Sequence, residues 1–119
     1  MATPSGTRTS VSTHILDTSL GRPAAGVSVE LSVRRRADAA WAAHAVSRTD
    51  ADGRCKDLPA LPEGTAHARV RFEVEPYLVR AGHTPFFPEA VVVFAVERGE
   101  HYHVPLLLNP FGYSVYRGS

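Results

Sequence analysis

The chain has 119 residues, with 13 Lys and Arg against 12 Asp and Glu and a formal net charge of +1. This length suits one domain, and the balanced, scattered charge argues against a nucleic-acid-binding protein. The single Cys55 excludes an intramolecular disulfide, and no apolar run reaches the ~18 residues of a membrane helix. Because the N-terminus has no apolar signal segment either, we expect a soluble, cytoplasmic protein with a small-molecule partner, no nucleic acid and no membrane.

Strands are the dominant predicted element. Residues 1–9 are small, polar and aperiodic, which is typical of a disordered arm, so we expect the folded domain to span residues 10–119. Beyond the arm, apolar and polar residues alternate with the period of two that marks a half-buried strand. Gly, Pro, Asn and Asp clusters separate the strands, and this spacing predicts an all-β sandwich. The predicted strands are 12–17, 27–33, 41–48, 70–74, 90–96, 102–108 and 112–116.

The turn at residues 49–54 has the sequence Thr-Asp-Ala-Asp-Gly-Arg. Gly53 can adopt a positive φ there, a conformation that carries a steric penalty for other residues. Such a turn would hold Arg54 in a fixed direction, with its planar guanidinium available to a carbonyl, imide or carboxylate. Arg117 has the same potential because it belongs to a chemically dense chain end.

One short helix is predicted at residues 75–82. Pro76 suits the first helical turn, and Gly82 suits the position after the last turn. Leu78 and Val79 would form the apolar side of the helix. At two turns, the helix depends on packing against the rest of the domain.

The segment 90–96 differs from the other strands because it is apolar on both faces. Its sequence, Ala-Val-Val-Val-Phe-Ala-Val, is rich in β-branched residues, which favour strands. A strand without a polar face is typical of the middle of a sheet, so we expect a central position. A short buried helix is the alternative interpretation.

Histidines supply the candidate catalytic groups. His101 and His103 lie two residues apart in a predicted strand, so their side chains point to the same face. His14 lies in the first predicted strand. An imidazole has an ordinary pKa of about 6.5 and can act as a general acid or base near neutral pH. We interpret the remaining histidines as surface or structural groups: His44, His67 and His83.

A zinc site is an alternative use of these imidazoles. His14, His101 and His103 could bind one zinc ion and leave a position open for water. The sequence shows no carboxylates that would orient such ligands, since Glu100 would face away. Ser119 offers a hydroxyl, but no Asp completes a nucleophilic triad, and this disfavours a covalent serine mechanism.

Three blocks of the sequence resemble the 5-hydroxyisourate hydrolases, the transthyretin-related enzymes of purine degradation. The blocks are residues 13–26, residues 48–54, and residues 86–89 together with 101–119, which end in Tyr-Arg-Gly-Ser. The resemblance implies a transthyretin-like (prealbumin-like) β-sandwich of two four-stranded sheets with one short helix. It also implies a homotetramer whose active sites form at the dimer-dimer interface.

The resemblance also implies the site residues and the reaction. His14, Arg54, His103 and Ser119 match catalytic positions, and His14, Arg54 and Tyr116 match positions that bind substrate. Water would open the six-membered ring of 5-hydroxyisourate between N1 and C6, giving 2-oxo-4-hydroxy-4-carboxy-5-ureidoimidazoline without a cofactor or a covalent intermediate. In this hypothesis one imidazole, of His103 or His14, activates the water, and the other protonates the leaving nitrogen.

A carrier without catalytic activity is the main competing interpretation. Vertebrate transthyretins are similar in fold and bind hormone in the equivalent channel. They lack the Tyr-Arg-Gly-Ser ending and the histidine set that this sequence has. The sequence therefore favours the hydrolase over the carrier.

Overall fold

The computed structural model describes residues 8–119 and contains two β-sheets and one short helix. Residues 1–7 of the predicted arm lie outside the described residues. Thr9, the last residue of that arm, is buried, and its carbonyl accepts a hydrogen bond from the Leu61 N–H at 2.8 Å. The elements are β1 (Ser10–Asp17), β2 (Arg22–Pro23), β3 (Ser28–Arg34), β4 (Ala42–Arg48), β5 (Arg54–Cys55), β6 (His67–Glu73), α1 (Glu75–Arg80), β7 (Ala90–Ala95), β8 (His101–Asn109) and β9 (Gly112–Val115).

The first sheet has the order β2-β1-β8-β9, and β5 also pairs with β1. Because β8 covers one edge of β1 along its whole length, β2 and β5 share the other edge. The sheet therefore has five strands but is four strands wide. The second sheet has the order β4-β3-β6-β7. The predicted transthyretin-like sandwich is confirmed, with two short strands, β2 and β5, that the sequence pattern does not reveal.

Alternate side chains of each sheet meet in the core. Ile15 and Leu106 of the first sheet are fully buried, as are Leu31 and Phe72 of the second. Successive side chains of a strand point to opposite faces, so the residues between these apolar positions lie on the outer faces of the sandwich. The outer face of the first sheet carries Ser10, Ser12 and His14 of β1 and His101 and His103 of β8.

β7 lies at an edge of the second sheet, so the predicted central position is wrong. Ala90 is buried on its inner face, whereas Val91 and Val93 are 40% and 51% exposed. Apolar residues on both faces of a strand do not show how many strands pair with it. It therefore does not distinguish a central strand from an edge strand with exposed valines.

α1 packs against the end of β1. Tyr77 and Leu78 are buried, whereas Val79 is 58% exposed, so the prediction for Val79 is wrong. The Tyr77 hydroxyl donates to the buried Asp17 carboxylate at 2.7 Å. Burial raises the pKa of Asp17, but hydrogen bonds from Ser19, Tyr77 and the following backbone outweigh it and leave that pKa lowered. No helix in the described part of the chain is long and apolar enough to cross a membrane.

Candidate active site

Strand pairing brings three of the predicted site residues together. His14 of β1 lies opposite Arg54 of β5 on one side and opposite Pro105 of β8 on the other. His103 precedes Pro105 by two residues and lies opposite Ser12. Because paired and alternate residues share a face, the side chains of His14, Arg54 and His103 lie on the outer face of the first sheet.

Gly53 allows the turn before Arg54 to lie against β1. Its φ is 74°, and a Cβ at this position would lie 2.5 Å from the carbonyl oxygen of Ile15. The Ile15 N–H donates to the Gly53 carbonyl at 2.8 Å. The Asp50 carboxylate accepts the Arg54 N–H at 2.9 Å and closes the turn. These contacts fix Arg54 on the edge of the first sheet.

The residues after β9 fold back over His103. The Gly118 N–H donates to the His103 carbonyl at 2.8 Å, and the Tyr116 N–H donates to the Pro105 carbonyl at 3.4 Å. A Cβ on Gly118 would lie 2.7 Å from His103 Cδ2 and 3.2 Å from Pro105 Cγ. A larger residue at 118 would therefore displace either the terminal segment or the imidazole. The same close approach brings Ser119 beside His103.

Arg117 anchors this terminal segment. Its guanidinium pairs with the Glu100 carboxylate at 3.0 Å and lies 4.4 Å from the ring centre of Tyr102. Such stacking of a cation on an aromatic ring is attractive, and Tyr102 is buried and gives the arginine a fixed platform. The sequence left a ligand-binding role open for Arg117, but the chain itself occupies its guanidinium.

The converging residues line a depression of about 230 Å³ in the outer face of the first sheet. Arg54 and Lys56 give it two cationic side chains, and neither forms an ion pair within residues 8–119. Cations without a carboxylate partner favour an anionic or strongly polar ligand. The residues that line the depression are Ser12, Thr13, Arg54, Lys56, His101, His103 and Ser119.

Two predicted site residues do not line this depression. His14 is half-buried next to Arg54, one strand away from His103. Tyr116 is 55% exposed and lines a separate cavity of about 290 Å³ together with Val115 and Arg117. A single chain therefore brings together Arg54, His103 and Ser119 but leaves Tyr116 to one side.

The surroundings of His103 favour its neutral form. Burial lowers the pKa of His103, and repulsion from Arg54, and from His14 and His101 when they are protonated, lowers it further. At neutral pH the imidazole is therefore unprotonated on one nitrogen, which is the form that accepts a proton.

Two serines hold the paired histidines. The Ser12 hydroxyl lies 2.9 Å from His103 Nδ1 and also 2.9 Å from His101 Nε2. The Ser10 hydroxyl lies 2.7 Å from His101 Nδ1. Among the described residues, His103 Nε2 has no hydrogen-bond partner, so it is available to a bound molecule.

The other histidines have structural contacts. His44 Nε2 lies 2.9 Å from the Ala60 carbonyl, and His67 Nδ1 accepts a hydrogen bond from Arg34 Nε at 2.9 Å. His83 Nε2 lies 3.5 Å from the Ser19 hydroxyl. None of the three lines the depression.

The zinc alternative finds no support in the geometry of residues 8–119. No three His, Cys, Asp or Glu side chains in that range are grouped so that they could hold one metal ion. His101 and His103 share a face as predicted, but both direct ring nitrogens at the Ser12 hydroxyl.

Sequence reasoning missed Ser12 and Lys56. Ser12 lies two residues before His14, and Lys56 lies two residues after Arg54. The period of two that places His101 and His103 on one face is the signal that could have indicated Ser12.

Comparison with known proteins gives a consistent result. The HIUase/Transthyretin family matches residues 11–118. The 5-hydroxyisourate hydrolase of Halalkalibacterium halodurans is 46% identical over 118 residues, covering 92% of this chain and 97% of that protein.

Solved structures agree with the sequence comparison. The 5-hydroxyisourate hydrolase of Klebsiella pneumoniae has 37% identity and a TM-score of 0.77, covering 92% of this chain and 97% of that one. Sea bream transthyretin in complex with thyroxine has 34% identity and a TM-score of 0.79, covering 91% of this chain and 93% of that one. This chain belongs to the HIUase/transthyretin family.

Proposed function

We propose that this protein hydrolyses 5-hydroxyisourate in urate degradation. The observation that carries the proposal is the convergence of Arg54, His103 and Ser119 on one depression, with Gly118 fitted against the imidazole. Similarity to proteins named 5-hydroxyisourate hydrolase, at 46% and 37% identity, supports the same substrate. The reaction adds water to C6 and breaks the cyclic amide bond between C6 and N1. Its product is 2-oxo-4-hydroxy-4-carboxy-5-ureidoimidazoline.

His103 is the better candidate for the general base. Its lowered pKa keeps the imidazole neutral, and Nε2 is free to accept a proton from water. As the water oxygen bonds to C6, the C6–N1 bond breaks and N1 needs a proton. His14, on the same face and next to Arg54, is the candidate acid for that step. With His103 as the base and His14 as the acid, water attacks C6 directly, and no covalent intermediate with the protein is needed.

Arg54 and the chain terminus would bind and orient the reacting groups. The Arg54 guanidinium can stabilise negative charge that develops on the C6 oxygen. Ser119 lines the depression beside His103, and its hydroxyl can orient the attacking water. Tyr116 lies at the neighbouring cavity, so we assign its substrate contact to the assembled protein.

We further propose a homotetramer with sites at the dimer-dimer interface. The depression of about 230 Å³ is shallow and open, and it is smaller than the ~300–1,000 Å³ of typical ligand pockets. A second first-sheet face laid over it would enlarge the site and exclude water from the reacting groups. Association would also bury surface that a domain of this size leaves exposed.

The reaction as proposed needs water and the chain's own side chains, with no cofactor. A cytoplasmic location suits the buried free thiol of Cys55, because reducing compartments keep such thiols unpaired. Chelator treatment tests the zinc alternative. Activity that is lost with the metal and restored by zinc would replace the mechanism given above.

The decisive experiment generates 5-hydroxyisourate from urate with urate oxidase and follows its ultraviolet band. We expect the band to decay faster with this protein than in its absence, in proportion to protein concentration. Decay at the spontaneous rate, with the compound bound but intact, would contradict hydrolysis and favour the carrier.

A further inference from the structure

Four side chains on the outer face of the first sheet form a continuous row. In order they are Ser10, His101, Ser12 and His103, alternating between β1 and β8. The three gaps are 2.7 Å from Ser10 Oγ to His101 Nδ1, 2.9 Å from His101 Nε2 to Ser12 Oγ, and 2.9 Å from Ser12 Oγ to His103 Nδ1. Each distance is that of a hydrogen bond. His101, Ser12 and His103 line the depression, and the end of the row away from His103 is formed by exposed His101 and half-buried Ser10.

The number of protons in this row permits two complete arrangements. A neutral imidazole donates from one nitrogen and accepts at the other, and a hydroxyl donates once while it accepts. In the first arrangement His103 Nδ1–H donates to Ser12, Ser12 donates to His101 Nε2, and His101 Nδ1–H donates to Ser10. In the second arrangement every donor is reversed. The first leaves His103 Nε2 without a proton, as a base requires, and the second protonates it, as an acid requires.

We propose that Ser12 and His101 form a proton relay between His103 and solvent. This inference rests on the proposed hydrolysis with His103 as general base. When Nε2 takes a proton from the attacking water, Nδ1 releases its proton to the Ser12 oxygen. The Ser12 hydroxyl proton passes to His101 Nε2 in the same step, so Ser12 ends neutral. His101 becomes the imidazolium and releases its Nδ1 proton to bulk water, which leaves the row in the second arrangement. Before the next turnover His103 Nε2 loses its proton to water, and a proton taken up at His101 Nδ1 returns the row to the first arrangement.

The stoichiometry of ring opening leaves one proton to be released, and the row offers it a route. Water contributes two protons, of which one is retained on the leaving nitrogen, and the new carboxyl group ionises at neutral pH. One proton per turnover must therefore leave the site. The other groups that face His103 are cationic or can become so, namely Arg54, Lys56 and His14, and the terminal carboxylate belongs to Ser119. His101 is the exposed member of the row, whereas Ser10, Ser12 and His103 are half-buried.

Ser12 is in this view a positioning residue, and the test removes its hydroxyl. We expect Ser12→Ala to lower kcat about tenfold in dilute buffer with KM unchanged, the size expected for one lost positioning hydrogen bond. Added imidazole buffer should restore kcat after subtraction of the uncatalysed rate, because the buffer carries the proton instead. Ser12→Thr retains a hydroxyl and should keep most of the activity. Ser28→Ala, a half-buried strand serine of the second sheet, is the matched control and should behave as wild type.

The outcomes separate the relay from a structural role. Wild-type kcat for Ser12→Ala in dilute buffer would overturn the relay. A loss that neither buffer nor Ser12→Thr restores would also overturn it, because it would show that the serine only supports the fold. Absence of hydrolysis by the wild type would instead refute the proposed function.

A readout without turnover tests the row directly. Ring ¹⁵N chemical shifts report which nitrogen of each histidine carries the proton. We expect wild-type His103 to be protonated on Nδ1 at neutral pH, and Ser12→Ala to lose that preference. Protonation of His103 on Nε2 in both proteins would contradict the relay, whether or not the substrate is the one proposed.

Discussion

Arg71 of the second sheet and Arg54 of the first sheet differ in how their charge is compensated. On the second sheet, Arg71 of β6 forms ion pairs with three carboxylates, those of Glu30, Glu73 and Glu89. The hydrogen bond from Arg71 to Glu89 is the main cause that raises the pKa of the guanidinium. Carboxylates of the same chain thus compensate the charge of Arg71.

On the first sheet, two cations near His103 differ from Arg71. Arg54 and Lys56 line the depression without an ion pair in the described residues, and burial together with the charge of Arg54 lowers the pKa of His103. Two cations that line a depression without a carboxylate partner favour a ligand that is anionic or strongly polar.

The largest expected effect comes from removing the candidate base. His103→Asn keeps a polar side chain of similar size but cannot accept the proton, so we expect kcat to fall ~10²- to 10⁴-fold. Turnover of 5-hydroxyisourate measures the loss of activity, and thermal unfolding checks that the variant is still folded. Full turnover in a folded variant would remove His103 from the mechanism and weaken the contrast between the faces.

The terminal segment gives the next largest effect. In Gly118→Ala the new Cβ would lie 2.7 Å from His103 Cδ2, so the imidazole or Ser119 must move. A displacement of about 1 Å can cost ~10²-fold in rate, and we expect a loss of that order in kcat.

Gly112→Ala is the matched control for this substitution. Its nearest neighbours lie 3.9 Å from the added Cβ, which is an ordinary contact, so activity should change little. Equal effects of the two substitutions would mean that the contact with His103 does not matter.

A smaller effect concerns pH. The pKa of His103 is lowered, mainly by burial and then by Arg54, so the basic form persists as pH falls below the ordinary value of about 6.5. We expect kcat/KM to stay constant through that value and to decline only when pH passes the lowered pKa. An acid limb centred at or above the ordinary value would contradict the electrostatic description of the first-sheet face.

The smallest effect is expected on the second sheet. Arg71→Met removes the ion pairs but keeps an apolar stem, and partly exposed pairs contribute little, so the free energy of unfolding should fall by about 1 kcal/mol or less. Activity should be unchanged. Denaturant unfolding measures the free energy of unfolding, and the hydrolysis assay measures the activity. A large loss of activity without unfolding would show that the paired face also has a functional role.

Much of this arrangement follows from alternation along single strands. The shared face of His101 and His103 is a direct consequence of their spacing, and both contact Ser12 as that face requires. The Asp-Gly turn likewise predicts a fixed Arg54, and Gly53 has the positive φ that the turn needs.

The alternation of polar and apolar residues along a strand does not show which strands pair with each other. Arg54 reaches His14 because β5 pairs with β1, a pairing that depends on the close approach of Gly53 to the Ile15 carbonyl. The fit of Gly118 against His103 depends in the same way on tertiary contact. The edge position of β7 is not evident from the sequence for the same reason, because strand order depends on which strands pair and not on their composition.

The parallel pairing of β1 with β8 also has a consequence during synthesis. Ser12 and His103 are in contact although they are separated by 91 positions in sequence. The second sheet pairs only antiparallel strands between β3 and β7, so its partners all leave the ribosome before β8 does. β1 must wait for the last part of the chain before its sheet can close. A nascent chain can therefore complete its second sheet first, and it brings Ser12, His103 and Gly118 together only after β8 and the residues that follow β9 have been synthesised.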